Sequence, residues 1–391
     1  MSAASPVTTF IGKGQTHNEP WTRSEDGAKE YSIAADRHPA RYEADDDLIA
    51  AVNTALLLDK PLLVTGNPGT GKSDLAERVA WELRLGPVLR FEAQSLSEAN
   101  DLFYRYDLIG RMAAMREREA LPARLDKPLY GRDGAAERPP ASVLAGDESI
   151  DWRADFIELG ALGKAILRAG VSFQGADTRQ QAEFSRLLHL AQARGATWAQ
   201  QSGQRSVVLI DEIDKASRDF PNDLLNGIDR MEFRIREIDQ LLVKAPPREL
   251  GLQPIVIITS NLERDLPGPF LRRCAFHHIK DPDREQLARI VRLRVFDDDD
   301  RLGERELPPF YRQLLDCYFQ FREAHGAQQA HLPGLTELID VSRVLRRKQV
   351  APEARWADGL PQLLGSVGAL AKQREDVLRL QQFLKDWKAT A

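Results

Sequence analysis

Eight consecutive residues, Gly66-Asn67-Pro68-Gly69-Thr70-Gly71-Lys72-Ser73, constrain this chain more than any other stretch. They fit G-x-x-x-x-G-K-[S/T] at every position. Glycines let backbone N–H groups turn inward around a phosphate, at torsions that a Cβ hinders. Lys72 offers a point positive charge to β and γ oxygens, and the Ser73 hydroxyl is a hard oxygen ligand for Mg²⁺. A helix that starts here aims the positive end of its dipole at the same phosphates. A ligand-free glycine turn would share the composition but not the surroundings. The motif lies between an apolar run at 61–65 and an amphipathic stretch at 73–85. That stretch puts Leu75, Ala76, Val79, Ala80 and Leu83 on one face, and Gly86 stops it. The pattern predicts strand, phosphate loop and helix, with ATP and Mg²⁺ as the ligands.

The rest of the chain supplies the sheet that such a loop needs. A helix is predicted from about Asp47 through Leu48, Ile49, Val52, Ala55 and Leu56, with Asp45, Asp46 and Asp47 at its positive end. Further apolar runs at 88–92, 207–210 and 255–258 fit strands buried on both faces. Strands alternating with helices predict a doubly wound α/β fold, a three-layer α/β/α core around a parallel sheet. Beyond about Lys280 the strand signal ends, and helical patterns at 283–296, 308–324, 335–348 and 373–387 predict an all-helical lid. The expected organisation is an extended arm at 1–45, an α/β nucleotide-binding domain at 46–280 and helical residues 281–391. Within the middle unit, 95–204 reads as an insertion. Its centre, 116–149, has loop composition, and 183–194 has helical periodicity. The acidic run 297–300 reads as a solvated turn.

Bulk properties narrow the function classes. The 391 residues carry a formal net charge of −5, without the basic surplus of a general nucleic-acid binder. Cys274 and Cys317 lie far apart and have no metal or disulfide spacing. The N-terminus has no apolar stretch of signal-peptide length, and no segment reaches the roughly 18–20 apolar residues that span a bilayer. A cytoplasmic protein with reduced thiols, attached to membranes only through a partner, is the expectation.

Two strand ends add chemistry. Val207-Val208-Leu209-Ile210 is followed by Asp211-Glu212. A buried strand would deliver Asp211 to the C-terminal edge of the sheet, where ligands of open α/β sheets bind. Asp211 could hold Mg²⁺ directly or through water, and Glu212 could polarise the attacking water as general base. Asn261 ends the next apolar run, where its amide could reach the γ-phosphate or that water. Acids also begin helices, and Asn also forms turns. The phosphate loop is what tilts both readings toward catalysis.

These residues resemble the AAA+ ATPases and, within them, the MoxR-type group. The segments that carry the resemblance are residues 50–60 leading into PLLVTGNPGTGKS, then VVLIDEIDKA, DFPNDLLNGIDRMEFRIREI and IVIITSNLERDLPGPFLRRC. It covers about 45–280 well and the helical part loosely. The resemblance implies a ring-forming, commonly hexameric ATPase in which a neighbour's arginine completes each site. That arginine matches the second of Leu271-Arg272-Arg273-Cys274, which favours Arg273 and keeps Arg272 as the alternative. Pairing with nearby aspartates is the structural alternative for both. The family's extra hairpin is matched by 233–238 and 241–243, although Asp239-Gln240 is a poor turn sequence. The lid arginine that the family calls sensor 2 has no match in Gly334-Leu335-Thr336-Glu337. Arg343, Arg346 and Arg347 lie at least a turn further on, and the role stays unassigned.

By the same resemblance, the task is chaperone-like remodelling or activation of a protein complex, with a partner that carries a von Willebrand factor A domain. A nucleic-acid motor or loader is the alternative from another class. Its one candidate contact, the Arg-rich 105–124, also holds Asp107, Glu117 and Glu119 and reads as a solvated helix face. An ATP-gated scaffold with little turnover is a third reading. The last helix places Val377, Leu380, Phe383, Leu384 and Trp387 on one side, for packing into the lid or for docking. The insertion is the expected place of partner recognition.

Overall fold

The computed structural model describes residues 9–16, 38–125, 153–170, 177–193, 203–296, 307–325 and 332–387. The first half forms α1 (Asp46–Leu58), β1 (Leu62–Gly66), α2 (Lys72–Glu82) and β2 (Leu89–Glu92). Next come β3 (Tyr104–Tyr106), α3 (Leu108–Leu125), β4 (Ile157–Leu159), α4 (Ala161–Ala169) and α5 (Thr178–Ala193). Then follow β5 (Val207–Asp211), α6 (Phe220–Arg230), β6 (Glu232–Ile235) and β7 (Leu241–Lys244). The half closes with β8 (Ile255–Ser260), α7 (Gly268–Leu271) and β9 (Ala275–Ile279). The second half holds α8 (Arg284–Val295), α9 (Pro309–His325), α10 (Leu335–Arg347), α11 (Trp356–Leu364) and α12 (Arg374–Asp386).

Five strands pair in the order β2-β5-β8-β1-β9, all parallel. Side chains alternate across the sheet, and the two faces bury different sets. Leu62, Val64, Val207, Leu209 and Ile257 pack with α1 and α2. Leu63, Val208, Ile210, Val256 and Ile258 pack on the other face with α4 and α6. The result is a three-layer α/β/α core with a P-loop, followed by a helical region. Leu287, Phe310, Leu314, Leu338, Val341 and Leu384 lie in that region's own apolar core.

Several elements differ from the sequence expectations. β9 is a strand without an apolar run. It is an edge strand with one neighbour, Phe276 and His278 are exposed, and of its five residues only Ile279 is buried. An edge needs less apolar sequence than a central strand. α4 lies inside the stretch read as an insertion, yet Leu162, Ala165 and Ile166 bury in the same core as β2 and β5. α11 contains Pro361, which hid its helical pattern. Of the loop expected at 116–149, residues 116–125 continue α3 and 126–149 lie outside the described residues, as does the acidic run 297–300.

The hairpin β6–β7 forms, and both Asp239 and Gln240 take positive φ, 48° and 62°. Contacts from outside the turn hold this unfavourable pair. Arg153 Nη1 bonds the Asp239 carboxylate at 2.8 Å, and Gln180 Nε2 bonds its carbonyl at 3.0 Å.

At the N-terminus, residues 9–16 and 38–45 pack on α1 and α2. Phe10 is fully buried, and its N–H and C=O both bond the Asn53 side-chain amide at 2.9 Å. The buried Arg78 of α2 donates to the carbonyls of Gly14 and Pro39, which pins both segments to the helix that begins at the phosphate loop. The last helix turns inward: Leu380, Leu384 and the following Trp387 join the second core, and Trp387 meets Trp356 at 4.5 Å. Among the described residues, no helix is long and apolar enough to cross a membrane.

Candidate nucleotide site

β1 ends in the loop and α2 begins inside it, so the loop inherits the sheet's rigidity. Gly66, Gly69 and Gly71 take φ of 149°, 81° and 85°, conformations that favour glycine. A Cβ on Gly66 would also lie 2.6 Å from the Ile279 carbonyl oxygen of the adjacent strand. The backbone path at this position therefore requires glycine.

Lys72 opens α2 and is buried. Its Nζ donates to the Gly66 and Asn67 carbonyls, both at 2.8 Å, so its charge spans the loop. Burial pulls the Lys72 pKa below the ordinary lysine value, and the carboxylates of Asp211, Asp214 and Glu212 oppose that shift.

Ser73 Oγ lies 2.8 and 2.9 Å from the two carboxylate oxygens of Asp211. The contact joins the loop to the C-terminal end of β5, and it brings together the two oxygen donors expected to hold Mg²⁺. Thr259 of β8 adds a third point: its Oγ1 donates to Asp211 Oδ1 and accepts from the Glu212 N–H at 2.9 Å. Glu212 takes a left-handed φ of 55°, which turns the chain out of the strand. One Glu212 oxygen accepts from Asn261 Nδ2 at 3.3 Å, and the other pairs with Lys215. Lys72, Ser73, Asp211, Glu212 and Asn261 thus meet at the ends of three neighbouring strands.

Sequence reasoning missed three members of this site. Thr259 is a fully buried hydroxyl at the end of an apolar strand, and such a group must find a partner. Buried Asp214 accepts from the N–H groups of Asn261 (3.1 Å) and Glu263 (2.9 Å), which fixes the turn carrying Asn261. Lys215 pairs with the expected base. The signals were present, a polar residue ending an apolar run and a carboxylate beside Ile213, but spacing alone does not say which groups face each other.

The arginines lie apart from this cluster. Arg273 Nε pairs with Asp229 of α6 at 3.0 Å, both side chains being partly exposed. Arg272 is exposed, and its side chain makes no hydrogen bond or ion pair among the described residues. In the helical half, Arg346 donates to the Val295 carbonyl and lies over the Phe296 ring, and Arg343 lies 3.7 Å from Asp340. Thr336, at the start of α10, is the lid residue against the loop: a Cβ on Gly69 would lie 2.7 Å from its hydroxyl. A second lid contact runs from Arg294 of α8 to Asp74 of α2 at 3.0 Å. The thiols of Cys274 and Cys317 are free, and burial raises both pKa values to about 12.

No protein-family model matches the chain, and no curated protein matches it in sequence. Among solved structures, it is similar to one described as "Structure of C. elegans PCH-2", with 14% identity and a TM-score of 0.35. That match covers 83% of this chain and 68% of the other.

Proposed function

We propose that the chain is a Mg²⁺-dependent ATPase of the AAA+ type, working within a ring as a chaperone-like remodeller of a protein complex. The observation that carries the ATPase reading is the contact of Ser73 with Asp211. It joins a phosphate loop to an acidic strand end, with Glu212 and Asn261 beside it. Loop N–H groups and Lys72 bind the triphosphate, and the Ser73 hydroxyl and Asp211 carboxylate are the oxygens that would hold Mg²⁺. When bound, the metal neutralises charge developing between the β and γ oxygens. Glu212 takes a proton from the attacking water, and Asn261, held by Asp214, positions that water or the γ-phosphate. Both Glu212 oxygens have protein partners, Asn261 on one and Lys215 on the other, and these orient the carboxylate.

The narrower parts of the reading rest on the sequence resemblance: the MoxR-type group, a hexameric ring, a partner with a von Willebrand factor A domain and a cytoplasmic location. For the arginine supplied to a neighbour we favour Arg272 over Arg273, because Arg273 is engaged by Asp229 within its own chain.

ATP turnover and binding by purified protein test the core claim. Lys72→Ala should lose binding. Glu212→Gln should keep binding while turnover falls by about 10²–10⁴-fold, the worth of a positioned base. Parental turnover in Glu212→Gln would refute the base assignment, and a parent chain that binds no ATP would refute the whole reading. In Glu212→Gln, ATP should also shift the protein to a ring-sized species; a monomer with and without ATP would contradict a shared site.

A further inference from the structure

The loop is joined to the helical half by a circuit of contacts that begins and ends on the loop itself. Asn67 Nδ2 donates to Asp281 Oδ1 at 2.9 Å. Asp281 lies two residues past β9, in the segment that connects the halves, and its other oxygen accepts from Arg322 Nη2 at 3.1 Å. Arg322 belongs to α9. Its Nη1 donates to the Pro333 carbonyl at 2.8 Å and to the Tyr318 hydroxyl at 3.0 Å. That hydroxyl donates to the same Pro333 carbonyl at 2.9 Å. Pro333 precedes Gly334, the N-cap of α10, and Thr336 of α10 abuts Gly69 in the loop.

Asn67, Asp281 and Arg322 come from three different elements, so no helical spacing accounts for their meeting. The near end of the circuit lies on the proposed phosphate loop. Lys72 Nζ donates to the Asn67 carbonyl, so the ammonium that the phosphates would draw on is bonded to the residue that starts the circuit. A change at Asn67 then reaches Asp281, Arg322 and the start of α10 through hydrogen bonds alone. Arg343 and Arg346 also make contacts within the helical half.

We infer that the Asn67–Asp281–Arg322 clasp transmits nucleotide occupancy from the loop to α10, with Asp281 and Arg322 as positioning residues. The inference rests on the ATPase reading. It predicts that the loop and α10 share one equilibrium, which ATP shifts by its preference for one clasp geometry.

The test uses the full chain, Asp281→Asn, Arg322→Ala and the double variant, with ATP titrations and hydrogen exchange at 335–347. Each single variant should raise KM for ATP about fivefold, with kcat within about twofold of the parent. The double variant should be no worse than either single one, as for members of one unit. ATP should slow exchange at 335–347 in the parent but not in the variants, and Arg322→Lys should restore part of the effect. Variants that lose thermal stability yet keep the parental KM and the ATP-dependent protection would overturn the clasp. Additive losses would also overturn it. A parent that binds no ATP would overturn the ATPase reading, and the clasp with it; a parent that hydrolyses ATP isolates failure to the clasp.

Discussion

The two sides of the proposed site differ in how far one chain completes them. On the phosphate side, Lys72, Ser73, Asp211 and Thr259 bond to one another or to loop carbonyls. On the arginine edge, Arg272 is exposed and the Arg273 side chain has Asp229 alone as an ion-pair partner among the described residues. The first side is preorganised by the sheet, because three adjacent parallel strands end there. The second follows a four-residue helix that leads into the edge strand β9, where the proposed ring would place a second subunit. Substitutions on the first side should therefore act within a chain, and those on the second only in an assembly.

The sharpest way to break this contrast is to mix subunits. Arg272→Ala should lower turnover by about 10³-fold or more, as loss of a trans arginine does. An equal mixture with Lys72→Ala should recover activity, because each variant carries what the other lacks. Arg273→Ala should have a much smaller effect, since an exposed ion pair contributes little. If the two arginines exchange behaviour, Arg273 is the trans group. If mixing recovers nothing, the site is not shared.

Within the preorganised side, Thr259→Val tests whether the cluster matters beyond its named acids. Valine keeps the shape but removes the partner of Asp211 and of the Glu212 N–H. A buried group left unpaired costs about 1–3 kcal/mol, so kcat should fall about tenfold, with KM for ATP little changed. A change in KM alone would mean that Thr259 serves ground-state binding instead.

The same contrast explains what the sequence made legible. Glycines in the loop and the central strands could be read because each is dictated locally, by φ above zero or by burial on both faces. β9 could not, since an edge strand such as Ala275–Ile279 has one neighbour and tolerates histidines. Nor could Asp214 or Thr259: their roles depend on which strand lies beside which, and the order β2-β5-β8-β1-β9 is a tertiary fact. The turn at Asp239-Gln240 made the same point in reverse. Its local sequence argues against a hairpin, and Arg153 and Gln180 from a distant segment override it.

A smaller effect is expected from Lys215→Ala. Its pair with Glu212 is about half exposed on each side, so it holds the carboxylate weakly. Removing it should raise basal turnover about two- to fivefold by freeing one oxygen of the base. A fall in turnover would instead make Lys215 part of the working site.

The smallest effect separates the loop's lysine from an ordinary surface one. Burial lowers the Lys72 pKa in the free site, whereas a bound polyphosphate, being negative, raises it again. Between those two values the free site is neutral and the bound site charged, so binding takes up a proton. By linkage, ATP affinity must fall as pH rises through that window and level off below it. Calorimetric titrations in buffers of unlike ionisation heat would read the uptake directly, and Lys72→Arg, whose charge persists, should abolish it. If no proton is taken up as the pH approaches the alkaline range, Lys72 stays charged in the free loop. The Gly66 and Asn67 carbonyls then do more to hold that charge than burial does to remove it.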